Sequence, residues 1–386
     1  MNRPGLRSLP SALCAMLVLG WCFSAAQATD RPGDGGWVDP VGAAAEIMPL
    51  AAKSLLLDVT RADDHYVAVG ARGDVLLSRD GQRWRQVEVP TRTTFTAVTA
   101  IGDDVWAVGH AGVIAHSGDG GEHWTIQRKD PWHAPAKGKF ANADPKQGAP
   151  LLDVLFVDAR HGFAVGAYSL ALRTEDGGAH WQPMAVSTRE NRKNVVKQSN
   201  RAADGTDVGK AKESGVLSES EMDLGLEPNP HLNAITRTGS GALFIVGERG
   251  AAFRSRDEGM SWQRLQLSYD GSMFSVVGYE GDHVVAFGLR GHVFETTDLG
   301  DHWTQLATDT ELSLMGGTAL PDDGIVIVGA NGIVLRRKAA GQALRSYVDQ
   351  SAGIVASVVP LRGSDALLLV GEHGASVYTP HGPEAK

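Results

Sequence analysis

The chain has 386 residues, of which 42% are hydrophobic and 21% are charged, proportions typical of a soluble globular protein. Its formal net charge of −9 argues against a nucleic-acid-binding surface, which requires clustered basic residues. Glycine is frequent, at 47 residues, as expected of a chain with many tight turns.

The first 28 residues have the pattern of an export signal peptide. Arg3 and Arg7 give a basic start, residues 11–24 form an apolar core, and residues 26–28 (Ala-Gln-Ala) give a small-x-small cleavage site. We therefore expect an exported, periplasmic protein whose mature chain begins at Thr29.

Both cysteines, Cys14 and Cys22, lie within this signal. A lipoprotein signal needs Gly or Ala before its cysteine, but Trp21 precedes Cys22. The sequence therefore predicts a mature chain without a lipid anchor, a disulfide or a thiol-based metal site. Residues 29–45 are predicted to form a linker.

A turn motif with the pattern Ser/Thr-x-Asp-x-Gly-x-x-Trp, the Asp-box, recurs along the chain. The Asp carboxylate can accept backbone N–H groups, Gly adopts conformations that other residues resist, and Trp buries a large apolar surface. Copies lie at residues 117–124, 174–181, 255–262 and 296–303, with a version one residue shorter at 78–84.

An apolar run that ends in glycine recurs more often, at Gly70, Gly109, Gly166, Gly247, Gly288, Gly329 and Gly371. Four of the six intervals are close to 40 residues, and two longer ones contain insertions at about 129–149 and 186–230. An apolar segment precedes each run, at 55–59, 95–98, 151–156, 232–235, 273–277, 312–315 and 354–359. The chain thus contains seven repeat units.

Each unit is predicted to have four strands: the upstream segment (A), the run ending in Gly (B), the run before the Asp-box (C) and the segment after Trp (D). Such repeats of about 40 residues are typical of an all-β fold, the seven-bladed β-propeller. A parallel solenoid is the alternative, but Asp-box hairpins imply antiparallel strands. We assign residues 46–380 to the propeller and 381–386 to a tail, with residues 46–50 supplying strand D of the seventh blade.

Strand alternation places the B–C turns and both insertions on one face, and the Asp-boxes on the other. The insertions are interpreted as either solvated excursions or functional loops. His123, His180 and His302 recur in the Asp-boxes, one per blade, and so cannot converge on a metal ion.

The B–C turns carry, at a shared position, Arg72, Ala111, Ser169 (with Tyr168 just before it), Arg249, Arg290, Asn331 and His373. Three arginines at equivalent turns of an acidic protein could bind a carboxylate or another anion through their planar guanidinium groups. The alternative is that they are ordinary surface residues. Arg72, Arg249 and Arg290 are the candidate partner-binding residues.

The Gly-x-Arg-Gly turns at Gly70, Gly247 and Gly288, the Asp-boxes and the seven units behind an export signal resemble the photosystem II assembly/stability factor family. The resemblance extends over residues 46–378, apart from the two insertions. It implies a monomeric, non-catalytic periplasmic or lumenal assembly factor that uses no cofactor or metal. Such factors bind membrane-protein subunits through an arginine-rich patch. In a non-photosynthetic bacterium the client would be another envelope complex, such as an exporter.

Two alternatives come from other functional classes. Sialidase-like glycoside hydrolases are also propellers with Asp-boxes, and they need an arginine triad, a Tyr nucleophile with a Glu partner, and an Asp acid. The Arg-Ile-Pro segment of such enzymes is missing, and neither Tyr269 nor Tyr347 has an evident Glu partner in sequence. A sugar- or peptide-binding propeller is the second alternative.

Overall fold

The computed structural model describes residues 39–133, 144–186, 229–349 and 351–379. The predicted signal peptide, residues 29–38 of the predicted linker, the tail 381–386, residues 134–143 of the first insertion and residues 187–228 of the second lie outside these described residues. The described residues form seven β-sheets, which we call blades 1 to 7, and the predicted all-β, seven-bladed propeller is confirmed.

The strands follow in chain order, one blade after another. They are β1 (Leu56–Ala62), β2 (His65–Gly70), β3 (Val75–Ser78) and β4 (Arg85–Gln86) in blade 1; β5 (Phe95–Ile101), β6 (Asp104–Gly109), β7 (Ile114–Ser117) and β8 (Thr125–Arg128) in blade 2; β9 (Leu151–Phe156), β10 (Gly162–Gly166), β11 (Ala171–Thr174) and β12 (Gln182–Pro183) in blade 3; β13 (Leu232–Arg237), β14 (Leu243–Gly247), β15 (Ala251–Ser255) and β16 (Gln263–Gln266) in blade 4; β17 (Met273–Gly278), β18 (Val284–Gly288), β19 (Val293–Thr296) and β20 (Thr304–Leu306) in blade 5; β21 (Leu314–Leu320), β22 (Gly324–Gly329), β23 (Ile333–Arg337) and β24 (Arg345–Val348) in blade 6; and β25 (Val355–Pro360), β26 (Leu367–Gly371) and β27 (Gly374–Tyr378) in blade 7.

Within each blade the strands pair antiparallel in sequence order, as the A to D assignment predicts. Strand A of each blade packs against strand A of both neighbours, so the A strands line the centre of the ring. Short 3-10 helices lie at Ala51–Lys53, Ala71–Gly73, His110–Gly112, Ala167–Ser169, Glu248–Gly250, Leu289–Gly291 and Ala330–Gly332. All but the first occupy B–C turns.

The hydrophobic core consists of seven apolar clusters, one at each interface between neighbouring blades. Strand B contributes to two of them, because its side chains alternate between the two faces of the blade. In blade 3, Phe163 packs toward blade 4 and Ala164 toward blade 2. Burial on both faces explains why each strand B is an uninterrupted apolar run in the sequence.

The Asp-boxes lock the C–D turns by the mechanism expected from their residues. In blade 2, Asp119 Oδ1 accepts the His123 backbone N–H at 2.9 Å, and Ser117 Oγ accepts that of Gly121 at 2.8 Å. The same bonds recur in blades 3, 4 and 5. Gly121 also abuts Leu77 of blade 1, so each box joins its own turn to the preceding blade.

The strand that was predicted to close the ring is not formed. Residues 46–50 form no strand, and blade 7 has three strands among the described residues. Instead, the Met48 backbone N–H donates to Gln86 Oε1 of blade 1 at 2.7 Å, which uses backbone groups that a strand D would need. The 3-10 helix Ala51–Lys53 packs against the start of β27 in place of a fourth strand.

The end of the segment assigned to a linker also belongs to the propeller. Val41 and Ala45 are buried in the cluster between blades 1 and 2, and the Ala45 N–H donates to the Val89 carbonyl at 2.8 Å. Residues 39–53 therefore run along the outside of blade 1 and end against blade 7, so one segment links the first and last blades.

Direct contacts between blades 7 and 1 complete the ring. The Arg362 backbone N–H of blade 7 donates to the Tyr66 hydroxyl of blade 1 at 2.8 Å. Leu361 and Leu368 of blade 7 pack on Gly81 of the blade 1 Asp-box. Closure thus includes side-chain packing between blades 7 and 1, to which Ala51 of the N-terminal segment also contributes.

We expect Gly374→Ala to destabilise the ring more than Gly363→Ala. Both glycines have left-handed φ values, 84° and 73°, so alanine at either should cost about 1–2 kcal/mol of strain. A β-carbon on Gly374 would also overlap the Ala52 carbonyl oxygen, whereas nothing lies within 4 Å of one on Gly363. This overlap should add about 1–3 kcal/mol, measured by urea unfolding. Equal costs would show that Ala51–Lys53 does not pack on β27 in solution.

Side chains on the A strands bond neighbouring blades together around the centre. Asp58 Oδ2 accepts the Val98 N–H of blade 2, and Asp153 Oδ2 accepts the Ile235 N–H of blade 4, both at 2.8 Å. Burial raises the pKa of Asp58 to about 6, and burial together with the charge of Asp58 raises the pKa of Asp153 to about 7. The ring therefore holds two carboxyl groups that ionise at an energetic cost.

This cost predicts how stability depends on pH. Because burial raises the pKa of Asp153 from its usual 3.8 to about 7, the folded protein should lose stability as pH rises from about 4 to about 7. Asp153→Asn removes this titration, so its unfolding free energy should improve relative to that of the wild type between about pH 5 and pH 7.

The control is Asp80→Asn, since hydrogen bonds from the Arg83 and Gln82 backbones lower the pKa of Asp80 and leave it ionised throughout that range. The difference in unfolding free energy between Asp80→Asn and the wild type should stay constant over that range. A constant difference for Asp153→Asn as well would contradict the raised pKa.

Candidate partner-binding face

The B–C turns are fixed to the D–A connections by one repeated hydrogen bond. In every blade the residue after the strand B glycine donates its N–H to the carbonyl just before strand A, at 2.8 to 3.1 Å. In blade 1, Ala71 donates to Leu55, and in blade 3, Ala167 donates to Pro150. The B–C turns and the described ends of both insertions therefore share one face, which we call the D–A face. The opposite face is the Asp-box face.

A steric constraint explains the glycine that precedes each of these turns. Gly70 has an extended backbone (φ −171°), so its backbone angles alone do not require glycine. A β-carbon on Gly70 would, however, overlap the Leu55 carbonyl oxygen, because strand A bulges toward strand B at this level. The chain then turns through two left-handed residues, Arg72 (φ 55°) and Gly73 (φ 74°).

The three candidate arginines occupy the same position in this turn. Arg72, Arg249 and Arg290 have φ values of 55°, 52° and 57°, and all three side chains are exposed on the D–A face. They lie in blades 1, 4 and 5. Arg249 and Arg290 are therefore in neighbouring blades, whereas Arg72 is three blades away from them in either direction, so the arginines are distributed around the face.

The equivalent positions elsewhere are Ala111, Tyr168 and Asn331, all left-handed. The sequence assignment of Ser169 to this position is wrong by one residue, because Ser169 takes the place of the second left-handed residue, which is glycine in the other turns. Blade 7 differs, since Gly371 pairs directly with Gly374 and leaves a two-residue turn that contains His373.

The surroundings of Arg72 and Arg290 leave room for an anionic partner. Asp74 lies beside Arg72 but is buried, accepts hydrogen bonds from Ser54 Oγ and Gln86 Nε2 at 2.8 Å, and has a pKa raised by burial. Arg290 borders an open cleft together with Thr308 and other residues of blade 5. Exposed guanidinium groups in such positions can each bind a carboxylate with two hydrogen bonds.

The Asp-box face has a different character. Its exposed histidines bond to the Asp of their own box, as between His123 Nδ1 and Asp119 Oδ2 at 2.6 Å, and this hydrogen bond raises the His123 pKa. His180 and His302 make the same pair. In the described part of the chain, no group of three or more His, Cys, Asp or Glu residues is arranged to hold a metal ion.

Neither Tyr269 nor Tyr279 has the surroundings of a sialidase nucleophile. The Tyr269 hydroxyl donates to the Leu289 carbonyl at 3.1 Å, and its ring stacks on His292. Tyr279 lies near Glu295 and Arg337, but it is buried between blades 5 and 6, where burial raises its pKa and keeps the hydroxyl protonated. A nucleophilic tyrosine would have to be accessible to substrate.

Comparisons with known proteins agree with this architecture. A family model described as photosynthesis system II assembly factor YCF48 matches residues 42–132, 133–212 and 216–373, which is most of the chain. The chain belongs to the YCF48 family. Its resemblance to photosystem II assembly factors, predicted from the turns and Asp-boxes, is confirmed.

Curated YCF48 relatives match parts of the chain. The photosystem II assembly lipoprotein Ycf48 of Synechococcus sp. (strain CC9902) is 28% identical over 149 residues, 33% of this chain and 43% of the relative. The photosystem II assembly protein Ycf48 of Thermosynechococcus vestitus is 28% identical over 132 residues, 32% of this chain and 38% of the relative. The chain thus spans about two fifths of the length of these relatives.

Solved structures match over a larger share of the chain. A YCF48 bound to D1 peptide gives a TM-score of 0.59 at 17% identity, covering 87% of this chain and 97% of that one. YCF48 from Cyanidioschyzon merolae gives 0.58 at 17% identity, covering 87% and 98%. These likenesses show the propeller fold.

The sequence analysis gave no binding role to two exposed aromatic residues on the D–A face, Tyr168 and Trp132, which are 42% and 60% exposed. Tyr168 would have been found by counting two residues from Gly166, as Arg72 is counted from Gly70. Among the described residues, no helix has the length and apolar character needed to cross a membrane.

Proposed function

We propose that this protein is an exported, non-catalytic assembly factor that binds a membrane-protein subunit on its D–A face. Arg72, Arg249 and Arg290 would bind carboxylate groups of that subunit. The single observation that carries the proposal is the repeated turn position. In three blades of an acidic protein, the same left-handed residue is an exposed arginine on one face.

Two further observations support the proposal, the first its assembly role and the second its face. Membership of the YCF48 family makes an assembly role the natural expectation, and one relative was solved with a D1 peptide bound. The Asp-box side chains, in contrast, are hydrogen-bonded to their own turns, which leaves them less available to a partner.

A photosystem II subunit is the client that the relatives' names suggest, and we propose it as the first client to test. Another envelope complex, such as an exporter, is the alternative client of the same face. The export signal predicts that the protein meets either client in the periplasm or in an equivalent lumen.

The decisive experiment replaces Arg72, Arg249 and Arg290 together by alanine and measures binding of the relative's D1 peptide by fluorescence anisotropy. We expect affinity to fall at least about 30-fold, since truncating a hot-spot residue costs about 2 kcal/mol or more. Stability should change little, because exposed substitutions usually stay within about 0.5 kcal/mol.

The matched control replaces Arg79, Arg160 and Arg256, three exposed arginines on the Asp-box face of blades 1, 3 and 4. It should bind as the wild type does. Equal affinity of the two triple variants would contradict the proposal. If the wild type does not bind the peptide, capture of detergent-solubilised envelope proteins by the two variants tests the alternative client in the same way.

A further inference from the structure

The B–C turn of blade 3 is unlike those of the other blades. Tyr168 and Ser169 are consecutive left-handed residues, both with φ 55°, and neither is glycine. The turns of blades 1, 2, 4, 5 and 6 have glycine at the second of these positions: Gly73, Gly112, Gly250, Gly291 and Gly332. Left-handed backbone is costly for bulky residues, and strained turns are concentrated at functional sites.

The described ends of both insertions hold this turn in place. The Ser169 backbone N–H and hydroxyl both donate to the Pro230 carbonyl at 3.0 Å, and Lys146 Nζ donates to the Ser169 carbonyl at 3.2 Å. Ser169 is buried by these contacts. They explain the serine, but they do not require an aromatic residue at position 168.

Tyr168 projects from this fixed turn toward blade 4. Its ring meets His231 edge-on, with ring centroids 4.9 Å apart, and stays 42% exposed. His231 Nδ1 lies 3.4 Å from Glu248, the neighbour in sequence of the exposed Arg249. An aromatic ring and a guanidinium group thus occupy the equivalent turn positions of adjacent blades.

A second exposed aromatic residue belongs to the first insertion. Trp132 packs against Gly148, in the short turn that also provides Lys146, and is 60% exposed. Tyr168 and Trp132 are the two exposed aromatic residues of the described chain. Exposed Tyr, Trp and Arg side chains in one region are typical of the centres of protein-binding surfaces.

We infer that Tyr168, flanked by Trp132 and Arg249, is the residue that selects the bound segment. Its partner would be an extended peptide segment with a large apolar side chain close to a carboxylate. The apolar side chain would pack on the Tyr168 ring, and the carboxylate would bind Arg249. The inference rests on the proposed function and names the peptide chemistry that the same face accepts.

The chain itself supplies safe substitutions for the test. Alanine occupies the Tyr168 position in blade 2, as Ala111, and glycine occupies the Ser169 position in five blades. Tyr168→Ala and Ser169→Gly should therefore both fold.

The probes are a labelled short peptide of glycine and serine with one phenylalanine near a free C-terminal carboxylate, and the same peptide with alanine for phenylalanine. Tyr168→Ala should weaken binding of the phenylalanine peptide at least about tenfold and of the alanine peptide less than about twofold. Tyr168→Phe, which keeps the ring, and Ser169→Gly should both bind like the wild type.

A third probe is the phenylalanine peptide with a C-terminal amide. The wild type should bind the free acid more tightly than the amide, whereas Arg249→Ala should bind both forms with equal affinity. No measurable binding by the wild type, or equal losses for both peptides in Tyr168→Ala, would overturn the inference. If the arginine triple variant loses binding while Tyr168→Ala does not, only the aromatic anchor fails. If neither variant loses binding, the proposed function fails as well.

Discussion

The architecture depends on one steric constraint, the close approach of the end of strand B to the carbonyl that precedes strand A. Only glycine fits there, because a β-carbon would overlap that oxygen, as at Gly70 and Leu55. Once the two strands are this close, the next N–H bonds to the same carbonyl and the chain reverses through left-handed residues. The first of these residues projects from the D–A face. A packing requirement inside each blade therefore places equivalent turn residues around the D–A face. The amino acid at this turn position can differ from blade to blade.

The residue type at this turn position differs between blades, and this difference links the fold to the proposed function. Arginine at Arg72, Arg249 and Arg290 offers charge, whereas Tyr168 offers an apolar ring and Ala111 offers neither. The seven interfaces between blades hold the positions at fixed spacings, since each interface has its own apolar cluster and most Asp-boxes pack on the preceding blade. A rigid ring lowers the entropic cost of binding, because the contacting side chains need little further ordering.

The repeat unit could be predicted from sequence because its signals act within one unit. The Asp-box hydrogen bonds lie within one turn, and the strand B glycine contacts strand A of the same blade, so seven repeats of the unit identified the fold. Ring closure could not be predicted equally well, because it depends on which residues meet across 296 positions of the chain, as Tyr66 and Arg362 do. Residues 46–50 precede the first strand and were therefore assigned to strand D of blade 7, but the Met48 backbone N–H donates to Gln86 of blade 1 instead. In blade 3 the sequence assigned Ser169 instead of Tyr168 to the shared turn position, because a serine bonded to Pro230 replaces the glycine that marks the other turns.

The most direct test of the central claim is photocrosslinking from two matched positions. Asn331 on the D–A face and Glu258 on the Asp-box face are both exposed, with left-handed φ values of 54° and 55°. A benzophenone amino acid is placed at one or the other, the protein is mixed with envelope membranes, and crosslinked proteins are identified by mass spectrometry. The account predicts crosslinks to one membrane-protein subunit from position 331 and none to it from position 258. The same subunit crosslinked from position 258 alone, or equally from both, would contradict it.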